Sequence, residues 1–478
     1  MRRRAGTINQ CFNFGWMRLG FWSLADECLT PRKELRRLNT LKAWGLNLLY
    51  LSAYALLTPL ILLRRWFRQR PLGNILQRGL GLAPKLPVDE HCIWMHAVSV
   101  GEVNLLEPLL QRLQTSHPHS KFVISTTTAT GMQLAKRKYP EHLVFYFPID
   151  FSWAVKNVLS RLRPRLLVLA ELEIWPNLIR IAHDRNVPVV VINGRLSERS
   201  FRGYLRRQYL FRGTFQRLDQ VVAQSVEDAN RFVALGCPDA RVKVSGSIKF
   251  DGALQGPKGE LVEDLRQKLQ LNEGDFLWVA GSTQEPEERM AAKIWLTLIK
   301  QYPQLRLVIV PRHPHRGQAI QTDLQSIGAQ VRLRSENLDA TSDAGEILIA
   351  DTIGELKAWW ELSNAAFVGG SFGDRGGQNM LEPAATGSAV CFGPNTWNFK
   401  SIVKQMLSEG VAKQVEREED LAILMKTWVA DPDIAAAMGR AAFDLVQRST
   451  GAVERTCLSL RPYFLDASRS THRPKKVA

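Results

Sequence analysis

The stretch DTIGELKAWWELSNAAFVGGSFGDRGGQNMLEPAATGSAVC, residues 351–391, carries the clearest architectural signature in the chain. It reads as an apolar helix, then a short buried strand at Ala365–Val368, then a glycine-dense loop. A second helix is expected to open at Gln378-Asn379 and to end near Gly387, ahead of another apolar run from Ala389 to Phe392. A strand, a glycine loop and a helix N-terminus in series make an anion site. Free backbone N–H groups and the positive end of the helix dipole face one point, and glycine lets the backbone come close. Glu382, about one turn into that helix, is placed to accept hydrogen bonds from ribose hydroxyls. Gly369, Gly370, Gly376 and Gly377 are also compatible with simple turn formation, and glycines alone do not separate the two readings.

Outward from this stretch the same unit repeats. DFLWVAGSTQEPEE, LRLVIVPRHPHR, AQVRLR, EILIADTIGE, AAFVGGS and AVCFGP each read as a buried strand followed by a polar loop. Upstream, from Cys92, CIWMHAVSV, KFVISTTTAT, HLVFYFPI, RLLVLAELEIWPN, PVVVINGRLS, QVVAQS and VKVSGS form a similar series, separated by amphipathic helical segments such as GEVNLLEPLLQRLQ. Continuous apolar strands alternating with helices predict parallel sheets covered on both faces, with ligands met at the strand carboxyl ends. The polar residues fall at those ends: Ser99 and Glu102, Thr126–Thr130, Glu171 and Glu173, Asn193 and Arg195, Ser247 and Lys249. The expected fold class is α/β, two Rossmann-like domains facing an interdomain cleft, with an N-terminal membrane-anchor helix. The divisions are 1–42 (basic extension), 43–86 (anchor and Gly/Pro-rich linker), 87–262 (first domain), 263–465 (second domain) and 466–478 (basic tail).

The 478 residues suffice for two domains. Six scattered cysteines without a CxxC pair argue against a disulfide framework and fit a reducing compartment. The net charge is +17, and residues 1–86 hold 15 Lys/Arg against 3 Asp/Glu, so about +12 of the excess lies there. Such an arm suits an anionic membrane surface or a nucleic acid. Ala43–Leu63 is 21 residues without a charge, followed by RRWFRQR. At about 1.5 Å per residue it just crosses a hydrocarbon core roughly 30 Å thick. Trp44, Tyr50, Tyr54 and Trp66 suit interfacial anchoring. Ala53-Tyr54-Ala55 resembles a signal-peptide cleavage site, but the apolar run continues past it, which favours an anchor; a helix lying flat in the interface is the third option. Basic residues flank both ends, so charge does not set the orientation.

Together the motifs HAVSVGE (96–102), STTTATG (125–131), ELEIWPN (171–177), NGRLSERS (193–200), GSIKFD (246–251), GSTQEPEE (281–288), PRHP (311–314), DTIGEL (351–356), FVGGS (367–371), GGQNMLEPAA (376–385) and NFK (398–400) resemble those of the 3-deoxy-D-manno-octulosonic acid (Kdo) transferases. The resemblance runs from about Leu49 to Arg461. The chain departs from the family pattern at Gln284 and Gln378, where His is usual, at Met380 in place of Pro, and at His315 in place of an acidic residue.

What the resemblance implies is an inverting glycosyltransferase of GT-B type that moves Kdo from CMP-Kdo to the lipid A precursor at the inner membrane, catalytic domains on the cytoplasmic side. No cofactor, metal or nucleic acid takes part. It implies that Glu102 is the general base, that Glu171 and Glu173 flank the reacting sugar, and that Lys249 answers the donor's negative charge. CMP would be held by Pro311, Arg312, Ile353, Gly354, Glu355, Asn379, Met380, Leu381 and Glu382, with Met380 and Leu381 contributing main chain only. From the residues themselves, Glu102 in a helix first turn also suits stabilising the dipole, and that position is expected to depress its pKa, leaving catalysis to depend on positioning. Glu171 and Glu173, alternating on a strand end, are expected to face one side, and as surface acids they have Arg163 and Arg165 nearby in sequence. Lys249 reads equally as a solvated lysine. His313 and His315 lack convergent carboxylates and suit loop roles better than a metal. Three alternatives stand beside this reading: a UDP-sugar-dependent transferase of lipid A or peptidoglycan precursor synthesis, a basic membrane-attached binding protein without catalysis, and a degenerate transferase acting as a scaffold.

Overall fold

The computed structural model describes residues 44–45, 47–48, 50–52, 75–253, 259–336 and 345–465. The expected extension 1–42, most of the expected anchor Ala43–Leu63 and the tail 466–478 lie outside the described residues.

Two all-parallel sheets of seven strands organise the fold. The first holds β1 (Cys92–His96), β2 (Lys121–Thr126), β3 (Leu143–Tyr146), β4 (Pro164–Ala170), β5 (Val189–Gly194), β6 (Gln220–Ala223) and β7 (Val242–Val244), in the order β3-β2-β1-β4-β5-β6-β7. The second holds β8 (Phe276–Thr283), β9 (Leu305–Pro311), β10 (Val331–Leu333), β11 (Ile347–Ile349), β12 (Ala365–Val368), β13 (Ala389–Phe392) and β14 (Ala412–Gln414), in the order β10-β11-β9-β8-β12-β13-β14. Every apolar run read as a strand is one. β14, Ala-Lys-Gln, was not anticipated; only Ala412 of its three residues is buried, so it has no apolar periodicity, and it exists because β13 offers it an open edge.

Alternation along the strands covers both faces of the second sheet. Leu277, Val279, Val308, Val310, Ala366 and Val368 point into one core. Their neighbours Trp278, Ala280, Leu307, Ile309, Ala365 and Phe367 point into the other. Period-two side chains with both sets apolar are what a doubly covered parallel sheet requires. The chain joins the two lobes twice. In the helix Ile248–Ala253, Ile248 packs in the first lobe's core while Phe250 and Ala253 pack in the second's. The last helix, Ala452–Leu465, returns Ala452, Val453, Leu460 and Phe464 to the first core. Asp251 ties the crossings together by accepting from the N–H groups of Gly451 (2.9 Å) and Ala452 (3.0 Å).

The described residues of 1–82 pack with 148–158 as a separate compact unit. Asn47 exchanges hydrogen bonds with Ser152, donating to its Oγ at 2.8 Å and accepting from its N–H at 3.1 Å, and the Tyr50 hydroxyl donates to Asp150 at 3.1 Å. Within the stretch read as a linker, Ile75–Leu80 forms a helix. Among the described residues no helix is long and apolar enough to cross a membrane.

Candidate functional site

In the first lobe the polar ends of β1, β4 and β5 converge. Ser99 caps the helix Val100–Ser116, and Glu102 lies in its first turn. The Glu102 carboxylate turns back toward the chain before the helix, accepting from the Val98 N–H at 2.8 Å and from the Ser99 hydroxyl at 3.2 Å. Its pKa is not depressed as the sequence reading expected. It is pushed up from its ordinary value of about 4.5 to about 7, chiefly by burial, with the carboxylates of Glu171 and Glu173 adding to the rise. Desolvation and like charge outweigh the hydrogen bonds at the helix end. Two consequences follow: Glu102, Glu171 and Glu173 share one site, and Glu102 has the proton affinity suited to a base working near neutral pH.

Glu171 and Glu173 do not alternate on a strand, as their spacing suggested. β4 ends at Ala170, and Glu171 takes a left-handed backbone conformation (φ 56°) that turns the chain out of the sheet. Their environments therefore differ. Glu171 receives the Lys249 ammonium at 2.8 Å, so neither Arg163 nor Arg165 is its partner. Glu173 accepts from the Trp175 indole N–H at 2.6 Å and lies 3.5 Å from Nε2 of His96. His96 is fully buried, stacked on Phe147 with centroids 3.7 Å apart, and its Nδ1 meets the Ser125 hydroxyl at 2.9 Å. Sequence reasoning quoted His96 in a motif without giving it a task; here its buried ring faces the Glu173 carboxylate. Asn193, also left-handed (φ 50°), accepts from the Ile248 N–H at 3.0 Å and so pins the helix that carries Lys249.

Lys249 therefore offsets negative charge inside the site. Replacing it with Met leaves Glu171 uncompensated beside Glu102, which raises the proton affinity of Glu102 further. The acid limb of kcat/KM against pH is expected to move to higher pH in Lys249→Met; an unmoved limb would show that the two carboxylates are not coupled.

In the second lobe Pro311 ends β9 and Arg312 follows it, Ile353–Glu355 follow β11, and Asn379–Glu382 follow the loop from β12, all at strand carboxyl ends. Arg312 is exposed, and its N–H donates to the Thr283 carbonyl at 3.0 Å. Gly354 has φ 97°, and Ile353 at its side is 90% exposed. Glu355 accepts from the Thr352 hydroxyl at 2.6 Å and pairs with Arg334 at 3.4 Å. The helix expected at Gln378-Asn379 begins later, at Leu381, and runs only to Ala385. Asn379 precedes it, accepting from the Leu381 N–H at 3.2 Å and donating to Glu382 at 3.0 Å. Met380 and Leu381 bury their side chains.

The glycine loop differs most from expectation. Its N–H groups do not await a ligand: Glu287, 1% exposed, accepts from Gly370 (2.7 Å), Ser371 (2.8 Å) and Phe372 (3.0 Å), and from Gln284 (2.9 Å). An internal carboxylate fills the anion cradle. Gly369 is obligatory because a Cβ there would lie 2.8 Å from Glu287 Oε2 and 2.6 Å from Thr283 Cα. The only signal in sequence was an acid, Glu287 within GSTQEPEE, in the first turn of a helix after a strand, and its reach to the glycine loop could not be read there. Beside this cradle is a cavity of about 520 Å³ whose lining includes Gln284, His313, Arg316, Gly370, Asp374 and Arg375. Arg316 pairs with Glu288 at 2.8 Å, and burial together with Arg312, His315, Arg316 and Arg375 lowers the His313 pKa. Gln284 and Gln378 approach the same point, their Nε2 atoms 3.4 and 3.2 Å from where a Gly370 Cβ would sit. Among the described residues no three His, Cys, Asp or Glu side chains converge as metal ligands.

A family model for 3-deoxy-D-manno-octulosonic-acid transferase (kdotransferase) matches residues 74–252. The 3-deoxy-D-manno-octulosonic acid transferase of Haemophilus influenzae is 30% identical over 374 residues, covering 78% of this chain and 87% of the relative. That of Bordetella pertussis is 31% identical over 443 residues, covering 87% of this chain and 99% of the relative. Among solved structures, UDP-GlcNAc 2-epimerase from Neisseria meningitidis bound to UDP-GlcNAc superposes with a TM-score of 0.51 at 14% identity, covering 77% of this chain and 99% of the epimerase, a likeness of fold alone.

Proposed function

The chain belongs to the 3-deoxy-D-manno-octulosonic acid (Kdo) transferase family of glycosyltransferases, and from that membership we propose that it moves Kdo from CMP-Kdo to the lipid A precursor lipid IVA with inversion at the anomeric carbon. The observation that carries the mechanism is the Glu102 carboxylate, aimed by Val98 and Ser99 and raised to about 7 beside two further carboxylates. An acceptor hydroxyl attacks the anomeric carbon and gives its proton to Glu102. The bond from that carbon to the phosphate oxygen breaks, and CMP leaves with the electron pair. Glu171 and Glu173 stabilise the positive charge that develops on the sugar. Lys249 holds Glu171, and an ammonium's two other N–H donors can meet the donor's carboxylate.

CMP occupies the second lobe, across a cleft from Glu102. Arg312 pairs with its phosphate through two parallel N–H bonds, the backbone of Ile353–Glu355 meets the cytosine, and Asn379–Glu382 take the ribose and phosphate. No metal or cofactor is needed where cationic side chains meet the leaving charge. The acceptor is a lipid, and Ala43–Leu63 with its flanking arginines would keep the cleft at the cytoplasmic face of the inner membrane.

CMP at 100 times its Kd is expected to stabilise the protein by about 2.7 kcal/mol, visible as a rise in Tm of a few degrees, with UDP giving none. Stabilisation by UDP alone would reject the CMP-sugar reading in favour of a UDP-sugar transferase. The direct test is incubation with CMP-Kdo and lipid IVA followed by product masses: a gain of one or more Kdo units supports the proposal, and unchanged acceptor with intact CMP binding points to a scaffold.

A further inference from the structure

Beside Glu173 the ends of β1 and β2 build a hydrogen-bond chain that the reaction scheme leaves without a task. His96 and Ser125 are register partners in that parallel pair. Trp94 lies two residues before His96, so period-two alternation sets all three side chains on one face of the sheet. The Trp94 indole N–H donates to the Ser125 hydroxyl at 2.7 Å, and the same hydroxyl lies 2.9 Å from Nδ1 of His96. Trp94 and His96 are both fully buried, and the imidazole lies flat on Phe147 with 19° between the rings. At the other end of the ring, Nε2 is buried with no hydrogen-bond partner among the described residues. The atom it faces is Oε2 of Glu173, 3.5 Å away.

This chain selects which ring nitrogen carries the proton. An indole N–H only donates, so the Ser125 oxygen takes the Trp94 hydrogen and keeps its own to give. Given to Nδ1, it leaves the neutral imidazole protonated at Nε2, and that N–H points at the carboxylate. The opposite tautomer is worse on two counts. Its Nδ1–H is left with the Ser125 carbonyl at 3.1 Å, an oxygen that already accepts from the Ala97 N–H at 3.0 Å. It also turns the bare Nε2 lone pair toward a carboxylate oxygen in buried surroundings, where an unmet polar atom is costly. Trp175 donates to the same Oε2 at 2.6 Å, so two N–H groups meet one oxygen. Among the described residues no hydrogen bond reaches Oε1.

We propose that His96 is a positioning residue for the transfer. Ser125 and Trp94 hold it in the Nε2–H tautomer, its N–H closes on Oε2 of Glu173 when substrate enters, and Oε1 is left to face the charge that develops on the sugar. The inference rests on the role proposed above for Glu173 and extends it to three residues that act through that carboxylate. A separation of 3.5 Å is long for an N–H···O bond, and catalytic hydrogen bonds are commonly longer before substrate binds. A donor at Oε2 favours the ionised carboxyl, the form the scheme requires. A neutral imidazole does so without cancelling the charge, which a lysine or arginine in its place would do.

The test uses the full chain with CMP-Kdo and lipid IVA, and reads kcat, KM, Tm and the imidazole nitrogens. Nitrogen-15 NMR at about pH 8, where imidazole is ordinarily neutral, is expected to show His96 protonated at Nε2. His96→Phe keeps the stack on Phe147 but has no N–H to give. Its kcat is expected to fall on the order of 100-fold, the usual effect of a reacting geometry out by about 1 Å, with KM for CMP-Kdo unchanged. His96→Gln, whose amide N–H reaches the place of Nε2, should recover at least about tenfold of that loss. Ser125→Ala leaves Nδ1 only the carbonyl of residue 125, so the proton should move to Nδ1 and kcat should fall with it, although Glu173 is untouched. Tm shows whether each variant is folded; if His96→Phe is not, the spectrum and Ser125→Ala decide. The inference is overturned if Nε2 of the unsubstituted chain carries no proton, if folded His96→Phe keeps its kcat, or if His96→Gln is as slow as His96→Phe. Absence of any transfer by the unsubstituted chain would instead reject the Kdo-transfer reading, and the tautomer would still decide for His96.

Discussion

Glu102→Gln is expected to lower kcat/KM by about 10²–10⁴-fold, the usual worth of a positioned general base, with CMP affinity unchanged. Gln keeps the shape and the hydrogen bond from Val98 but cannot take a proton. In the unsubstituted enzyme the base must be ionised, so log kcat/KM should climb with unit slope up to about pH 7 and level off above it, following the raised carboxyl. The same shift has a stability counterpart of defined sign. The folded chain keeps this proton up to about pH 7, whereas the unfolded chain releases it at its ordinary value of about 4.5. Between those values the folded state binds more protons, so stability falls as pH rises. Glu102→Gln removes that penalty and should be more stable than the unsubstituted enzyme at pH 8 by up to about 3 kcal/mol, with no gain at pH 4. A variant both less active and more stable at alkaline pH is the signature of a site that stores unfavourable charge for use. Full activity in Glu102→Gln, or a rate independent of pH between 5 and 8, would remove Glu102 as the base.

Glu287→Ala is expected to be the most damaging single change for the fold of the second lobe. Four backbone N–H groups converge on this buried carboxylate, from Gln284, Gly370, Ser371 and Phe372. Without it all four lose their acceptor, those of Gly370 and Ser371 in buried surroundings, and roughly 3–5 kcal/mol of stability should be lost. Because Gly370 N–H and its neighbours set the path of the loop toward Asn379, CMP affinity should fall at least about tenfold, a cost on the order of 1.4 kcal/mol. Glu287→Gln retains one acceptor oxygen and should lie between. Thermal unfolding and CMP titration read both effects. A Tm within a degree of the unsubstituted protein would mean that water replaces the carboxylate and that the cradle is not held by it.

These two glutamates show where sequence reading reaches and where it stops. For Glu102 its place in a helix first turn was legible from Gly101-Glu102 at a strand-to-helix junction, but its proton affinity was read with the wrong sign. Helix position is local, whereas burial and the charges of Glu171 and Glu173, about 70 residues away in sequence, are not. For the loop 369–377, glycine content was legible and its use was not. The partner that fills it comes from the helix after β8, separated from β12 by three strands in sequence, although β8 is paired directly with β12 in the sheet.

The thirteen apolar runs, their parallel pairing and the placing of polar residues at strand carboxyl ends were determined by sequence alone, because burial on both faces imposes continuous apolar runs that survive in one dimension. The family resemblance was equally legible, being carried by short motifs in order. Only tertiary structure decided which carboxylate meets which partner: Glu171 with Lys249, Glu173 with His96 and Trp175, Glu287 with the glycine loop. Those choices depend on register between strands and on left-handed turns at Glu171 and Asn193. Electrostatic energies vary with distance and desolvation, and neither quantity exists until the chain has folded.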